Sequence, residues 1–375
     1  MTAPHRIAVQ LAEAPAAGYE ILVGSGLFAA LPSILSRFCP AHRYAVITDD
    51  RVAELYALKL SRSLHGAGHR VDVFAFSAGE ANKTRETWAV VTDAMLEAEL
   101  GRDTALIAFG GGVPGDLGGF VAATYMRGLP LVQVPTTLMA MIDSSVGGKT
   151  GVDTAMGKNL VGAFHQPRAV VVDPDLLQTL PDAHLRAGLA EAVKHGAIAD
   201  EEYLDWIETS ADELLAGDAD ALTRLIVRSV EIKAEVVSGD EREEGRRKLL
   251  NFGHTIGHAV ESLSGYAVLH GEAVAIGMVE EARIGERCGV TAPGTSGRLR
   301  KVLARLGLPT AMPIELTAAD VVQWTRSDKK ARNGRVEYAL IAGAGMPFSR
   351  DGRWGVPVAD ETVVEVLAGG TGNRA

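Results

Sequence analysis

The stretch "DSSVGGKT", Asp143 to Thr150, holds a lysine in a setting that phosphate chemistry favours. In the loop G-x-x-x-x-G-K-[ST], backbone amides cradle phosphates and the lysine reaches the terminal ones. Gly148, Lys149 and Thr150 fit the end of that pattern, but Asp143 stands where its first glycine belongs. A carboxylate at that point repels a phosphate, so the segment is no ordinary phosphate loop, and the role of Lys149 stays open. "GKN", Gly157 to Asn159, supplies a further lysine soon after.

The densest histidine cluster is "NFGHTIGHAVESLSGYAVLHGEA". His254 and His258 are four residues apart, so a helix sets them on one face, a spacing that chelates a divalent ion. His270 is a candidate third ligand. Thr255 stands where a zinc protease carries glutamate, which disfavours H-E-x-x-H chemistry. A structural histidine pair fits the same spacing. A metal site also needs a carboxylate, and Glu191 in "AGLAEAVKHG" sits among apolar neighbours, with Lys194 close behind. Buried glutamate is rare unless paired or metal-bound, and an intrahelical Glu–Lys pair is the alternative.

"GGGVPG", Gly110 to Gly115, matches G-x-G-x-x-G and follows an apolar run. Such glycines let a backbone approach a pyrophosphate, and they equally make an ordinary turn. The run sits on a middle strand, and "LPLVQVPTT", where the usual dinucleotide fingerprint has its acid about 20 residues on, carries none. Asp49 and Asp50 end an upstream strand instead, and "SAGEANK" offers Glu80 and Lys83. Asp116 suits either a ligand or a helix cap.

These residues need a frame. Apolar runs at 44–50, 71–76, 105–112, 131–137 and 169–173 alternate with longer mixed segments such as 84–100. That pattern predicts an α/β N-terminal domain with a Rossmann-like, mostly parallel sheet. Segments 6–11 and 19–24 suit an extra hairpin or edge pair. After Pro181, helical spacing dominates at 184–198, 201–215, 219–238, 248–264, 272–288, 296–306 and 317–328, with a late strand at 336–342. The chain therefore divides near 175–182, into 1–178 and a mainly α-helical part over 179–375, with a loose tail. A length of 375 residues suits two such domains.

The formal net charge of −10 argues against nucleic acid as the main partner, and a small anionic substrate then needs a local cationic cluster. No long apolar run suggests a membrane partner, and no secretory signal is visible at the start. Cys39 and Cys288 form no disulfide framework, which suits a reducing cytoplasm.

Read together, "GGGVPGDLGGF", "YMRG", "VPTTLMAMIDSSVGGKTGVDTAMGKNLVGAFHQP", "AGLAEAVKHG", "LLNFGHTIGHAVE", "LHGEAVAIGM" and "DKKARNG" make the chain resemble the 3-dehydroquinate synthase family of sugar phosphate cyclases. The resemblance runs from about Val46 to Gly345. It implies an NAD-binding α/β domain, a helical metal-binding domain and a homodimer. It further implies zinc, or cobalt, on Glu191, His254 and His270, with His258 turned to the substrate for proton transfer. Asp143, Lys149, Lys194, Lys233, Arg247 and Asn251 correspond to active-site positions. Asn159 and Lys329 or Lys330 match substrate contacts, and Arg127 matches an arginine supplied across the dimer interface. The NAD site maps to Asp49, Glu80, Lys83, Gly111, Gly112, Val113, Asp116, Thr136, Thr137, Asp143 and Lys158.

The implied reaction converts 3-deoxy-D-arabino-heptulosonate 7-phosphate to 3-dehydroquinate. It runs through transient oxidation at C5, phosphate loss, reduction, ring opening and aldol closure. Two details depart from the family pattern: Pro114 replaces a branched aliphatic, and Asp153–Thr154 replace an Asn–His common among relatives. Competing readings are a sister cyclase acting on sedoheptulose 7-phosphate, a metal-dependent polyol dehydrogenase and a non-catalytic NAD- and zinc-binding subunit.

Overall fold

A computed structural model of the chain describes residues 18–327, 331–332 and 335–369. The strands of the first half are β1 (Glu20–Val23), β2 (Arg43–Asp49), β3 (Arg70–Phe76), β4 (Thr104–Gly110) and β5 (Leu131–Pro135), then β6 (Lys149–Thr154), β7 (Gly157–Phe164) and β8 (Ala169–Val172). Six of them form one sheet in the order β1-β8-β5-β4-β2-β3, every pair parallel. Each apolar run that alternation marked as a strand is in this sheet. Segment 19–24 becomes its edge strand, paired parallel with β8 rather than forming a hairpin arm. Segment 6–11 lies outside the described residues.

A parallel sheet needs cover on both faces, because its crossovers lay helices there. The side chains alternate accordingly. Tyr44, Val46, Ala105, Ile107 and Phe109 enter one core, and Ala45, Ile47, Leu106 and Ala108 enter the other. Helix Leu27–Phe38 covers the first face with Leu31 and Leu35. Helices Arg85–Glu97 and Gly112–Thr124 cover the second with Val91, Met95, Leu117 and Val121. Thr84 starts the first of these by accepting from the Thr87 amide at 3.1 Å.

The first core continues into the second half through Leu189, Val193, Leu225, Phe252 and Val274. The helices there are Asp182–Ala199, Glu201–Thr209, Ala211–Leu215, Ala219–Gly239, His254–Leu263, His270–Arg287, Thr295–Arg305 and Ala318–Ser327. The expected helix 201–215 breaks at Ser210. The expected helix 248–264 becomes a 3₁₀ segment, Arg246–Asn251, and a helix that begins after Gly253 at φ 79°. The late strand divides into Arg335–Tyr338 and Ile341–Gly343.

The apolar pattern does not predict the last helix or the hairpin of β6 and β7. Helix Asp360–Gly369 closes the described chain and adds Val363 and Leu367 to a third core. The antiparallel hairpin β6–β7 carries both lysine motifs. Its strands hold Gly151, Gly157 and Gly162 with Asp153 and Asn159, residues depleted in strands, so alternation was hidden.

Candidate functional site

Three helices converge on Glu191. Its own helix, Asp182–Ala199, is buried along most of its length. Helix His270–Arg287 starts against it so closely that a Cβ on Gly271 would lie 1.9 Å from the Ala187 carbonyl oxygen. The same helix meets the start of helix His254–Leu263 backbone to backbone, where a Cβ on Gly277 would lie 1.9 Å from the Gly253 oxygen. Glycine at these points is what brings the histidines to the glutamate. The Glu281 carboxylate accepts from the Gly253 and Ile256 amides at 2.8 and 3.0 Å, capping the His254 helix from the neighbouring one.

Glu191 Oε1 lies 3.4 Å from His254 Nε2 and 3.4 Å from His270 Nε2. Bonds of about 2.1 Å to a tetrahedral ion place neighbouring donors about 3.4 Å apart, so these separations suit zinc-type coordination. The outer nitrogens agree. His254 Nδ1 lies 3.1 Å from the Phe252 carbonyl oxygen, and His270 Nδ1 lies 3.2 Å from Glu261 Oε2. Both Nδ1 atoms thus have acceptors, which makes Nε2 the ring atom that each histidine would present to an ion beside Glu191. Both Glu191 oxygens are buried without a hydrogen-bond partner among the described residues, although Lys194 Nζ forms an ion pair with Oε2 at 2.5 Å. The donor set fits a divalent metal.

His258 belongs to the same histidine group, its ring centroid 5.3 Å from that of His254 and 5.6 Å from that of His270. A second group that could hold an ion comprises Asp143, Glu191 and His195. There, however, cations already neutralise the carboxylate. Asp143 Oδ1 lies 2.7 Å from Lys233 Nζ and 3.5 Å from Lys194 Nζ. A dication added beside two ammonium groups is repelled by both, so the histidine side of Glu191 is the better metal seat.

This buried cluster shifts its own titrations. Burial alone would raise the Asp143 carboxyl, but Lys194 and Lys233 hold it well below the usual range. Glu191 behaves likewise, with burial outweighed by Lys194 and His254. Burial takes the Lys233 ammonium down to about 8, against the upward pull of Asp143. Lys194, flanked by two carboxylates, is raised despite burial.

Lys149 and Asn251 meet at another carboxylate. The Lys149 ammonium pairs with Glu243 Oε2, and Asn251 Nδ2 donates to Glu243 Oε1 at 2.5 Å. Arg247 is buried beneath the "VGGK" turn and donates from Nη2 to the Gly147 carbonyl at 3.1 Å. A Cβ on Gly147 would lie 2.3 Å from that nitrogen, and one on Gly148 would lie 2.5 Å from the Gln166 carboxamide. These glycines make room for side chains, so the turn is no phosphate-cradling loop. Lys149 is the first residue of β6, and its ammonium pairs with Glu243.

The crevice at the strand ends has the form of a dinucleotide site. The sheet order reverses between β2 and β4, the switch point where such ligands bind. Asp49 ends β2, and helix Gly112–Thr124 starts just past β4 with Gly111 at its N-cap position. A Cβ on Gly111 would press Thr137 Cγ2 at 3.1 Å, and the Thr136 amide donates to the Gly110 oxygen at 2.8 Å. Val113 follows in the first helical turn, and Pro114 is accepted there because that turn's amides lack helical partners. Asp116 does not cap this helix. It pairs with buried Lys83 at 3.2 Å, alongside Glu80 at 3.0 Å and Asp153 at 3.7 Å. The Asp153 departure thus supplies one of this lysine's counter-charges. Lys158 on β7 reaches Glu80 at 3.1 Å and Glu261 at 2.8 Å.

Two expected contacts are not brought to the cluster. Asn159 is exposed on β7 with φ 52°, its amide donating to Asp153. Arg127 is exposed at the far end of the Gly112 helix, whose thirteen residues span about 20 Å. Lys329 and Lys330 lie outside the described residues. Glu261, Glu243, Glu281 and His195 were not singled out beforehand. Spacing held a signal for two of them. Glu261 is seven residues after His254, and His195 four after Glu191, each on its neighbour's helical face.

Family models described as 3-dehydroquinate synthase N-terminal and C-terminal match residues 73–187 and 188–331. The 3-dehydroquinate synthase of Symbiobacterium thermophilum is 48% identical over 324 residues, covering 86% of this chain and 90% of that protein. Among solved structures, a 2-deoxy-scyllo-inosose synthase complexed with carbaglucose-6-phosphate, NAD+ and Co2+ superposes with a TM-score of 0.86 at 26% identity, covering 93% of this chain and 96% of that one. The 2-epi-5-epi-valiolone synthase of Streptomyces hygroscopicus, with NAD+ and Zn2+ bound, gives a TM-score of 0.85 at 28% identity, covering 98% of this chain and all of that one (100%).

Proposed function

The chain belongs to the 3-dehydroquinate synthase family, and from that premise we propose that it converts 3-deoxy-D-arabino-heptulosonate 7-phosphate to 3-dehydroquinate and phosphate. The observation that carries this reading is the placement of Glu191 Oε1 between His254 and His270, beside half-buried Asp143 and its buried partners Lys194 and Lys233. A metal seat and a lysine-rich cluster stand together inside an acidic protein.

Glu191, His254 and His270 would hold zinc or cobalt. The crevice lined by Asp49, Glu80, Lys83, Gly111, Gly112, Val113, Asp116, Thr136, Thr137, Asp143 and Lys158 would hold NAD. When bound, these groups supply Lewis acidity at a substrate hydroxyl and a hydride acceptor that returns its hydride. The chain's own residues bind and orient. Lys149, Asn251 and Arg247 receive substrate anions, with Glu243 giving way to them. Lys194 and Lys233 fix Asp143, which accepts from substrate hydroxyls. His258, beside the two ligand histidines, is the residue for proton transfer. Holding the reacting groups together can contribute roughly 7–11 kcal/mol to barrier lowering.

Two finer assignments go with this reading. Arg127, remote from the cluster of its own subunit, serves the partner's site in a homodimer, with Asn159 and one of Lys329 and Lys330 completing the substrate contacts. Residues 1–178 form the NAD-binding domain and 179–375 the metal- and substrate-binding domain of a cytoplasmic enzyme, closing to exclude water. Among the described residues no helix is long and apolar enough to cross a membrane.

The test is phosphate release from the heptulosonate phosphate with catalytic NAD, with and without a chelator. One phosphate per dehydroquinate, chelator-sensitive and without NADH accumulation, is expected. Release from sedoheptulose 7-phosphate alone would move the chain to a sister cyclase activity. Steady NADH accumulation would make it a dehydrogenase.

A further inference from the structure

The two histidines facing Glu191 are held in different ways. His254 is fixed by its own backbone, through Nδ1 and the Phe252 carbonyl. His270 is fixed by a side chain, Glu261, whose Oε2 lies 3.2 Å from Nδ1. Glu261 is buried, and its other oxygen lies 2.8 Å from Lys158 Nζ. Lys158 also reaches Glu80 at 3.1 Å, and Glu80 pairs with Lys83 at 3.0 Å. Lys83 in turn pairs with Asp116 on the Gly112 helix. A continuous row of ion pairs therefore runs from the dinucleotide crevice to one metal ligand and not to the other.

We propose that Glu261 is a positioning residue for His270, and that the Glu80–Lys158–Glu261 bridge links occupancy of the dinucleotide crevice to metal affinity at Glu191, His254 and His270. This rests on the two sites read above. A carboxylate on Nδ1 fixes the tautomer, aims Nε2 and raises its basicity, and losing such a partner costs about 10–100-fold in metal affinity.

The bridge is carried by an unusual element. Four consecutive residues of β7, Asn159 to Gly162, are exposed, so this strand has less core to anchor it than β6, whose Val152 is fully buried. Lys158, with 23% side-chain exposure, is its tie to both carboxylates. A dinucleotide seated against Glu80 and Lys83 orders this hairpin, and a metal arriving afterwards finds His270 already held. Ordering already met by the first ligand is spared for the second, and the linkage is reciprocal.

The experiment is a titration of the full chain with Zn2+ or Co2+ against a chromophoric chelator, with and without saturating NAD and without substrate. In the unaltered protein NAD tightens metal binding about 5-fold or more. Glu261→Gln weakens metal binding about 10–100-fold in the absence of NAD, while the melting temperature of the metal-free protein stays close to that of the parent. Lys158→Met, at a partly exposed position, abolishes the NAD dependence. Metal affinity unchanged in Glu261→Gln overturns the positioning role. An NAD effect absent from the unaltered protein, or retained in full by Lys158→Met, overturns the bridge. Neither outcome touches the turnover test above, whereas failure of the unaltered chain to bind metal would contradict both.

Discussion

The proposed metal seat and the proposed anion seat lie side by side but are built in opposite ways. The first stands on helices that meet backbone to backbone, with Glu191 and Lys194 almost wholly buried. The second stands on the β6–β7 hairpin and the loop that carries Glu243, where Lys149 keeps 49% of its side chain exposed. A metal tolerates little error in donor distance, so its donors are fixed by packing before it arrives. In the proposed reading, a substrate that must enter and leave is met by Lys149, whose present partner is the Glu243 carboxylate. Rigidity is thus placed where geometry is demanding, and exposure where exchange is needed.

The comparison can be broken most sharply at its rigid side. Glu191→Ala is expected to lose bound metal and turnover together, measured by metal analysis and phosphate release. Metal retained at full stoichiometry would show that the imidazoles alone suffice. On the open side, Lys149→Ala is expected to lower kcat/KM by about 100-fold or more, the scale of removing a charged contact to a reacting group, with metal content unchanged. Metal loss in that variant would merge the two regions into one unit.

Lys233 sharpens the boundary between them. Its ammonium is lowered to about 8 by burial, while an unfolded lysine titrates near 10.4. Below about 8 both states carry the proton, and the cost of burying that charge is fully present. Between about 8 and about 10.4 only the unfolded state retains it, so this group's contribution to stability rises with pH across that window. For substrate binding the sign is opposite. Losing the ammonium removes a cation that fixes Asp143, so kcat/KM is expected to fall above pH 8. Lys233→Arg, which keeps its charge, should remove that limb from the pH–rate profile. A limb unmoved by the substitution would assign it to another group.

The smallest effect is expected at Glu243. Its pair with half-exposed Lys149 is screened by solvent, so Glu243→Gln should change unfolding free energy by less than about 1 kcal/mol in a denaturant titration. A loss of several kcal/mol would make this loop part of the rigid side.

The same division decides what the sequence could reveal. β2, β4 and β8 were legible because parallel strands covered on both faces read as continuous apolar runs. Glu191 stood out as a carboxylate among apolar residues in a helix. The choice between His258 and Glu191 beside His254 and His270 did not follow from spacing, because a helical i,i+4 pair is compatible with either set, and there the family resemblance supplied the expectation. The β6–β7 hairpin stayed hidden, since its glycines and polar residues break the alternation that marks a strand. Glu261 went unremarked because its partners, Lys158 and His270, come from separate elements that only the tertiary structure unites. Asp116 reads equally well as a cap or a ligand until Lys83 is seen beside it.

The central claim is that Glu191, His254 and His270 form the metal seat and that His258 stands outside it. Bound Co2+ should be measured in two purified variants, with the visible spectrum recorded for each. His258→Ala is expected to retain stoichiometric metal with the parent's ligand-field bands while losing turnover, and His270→Ala to lose the metal. Metal lost from His258→Ala and kept by His270→Ala would restore the i,i+4 histidine pair as the ligand set and contradict the account.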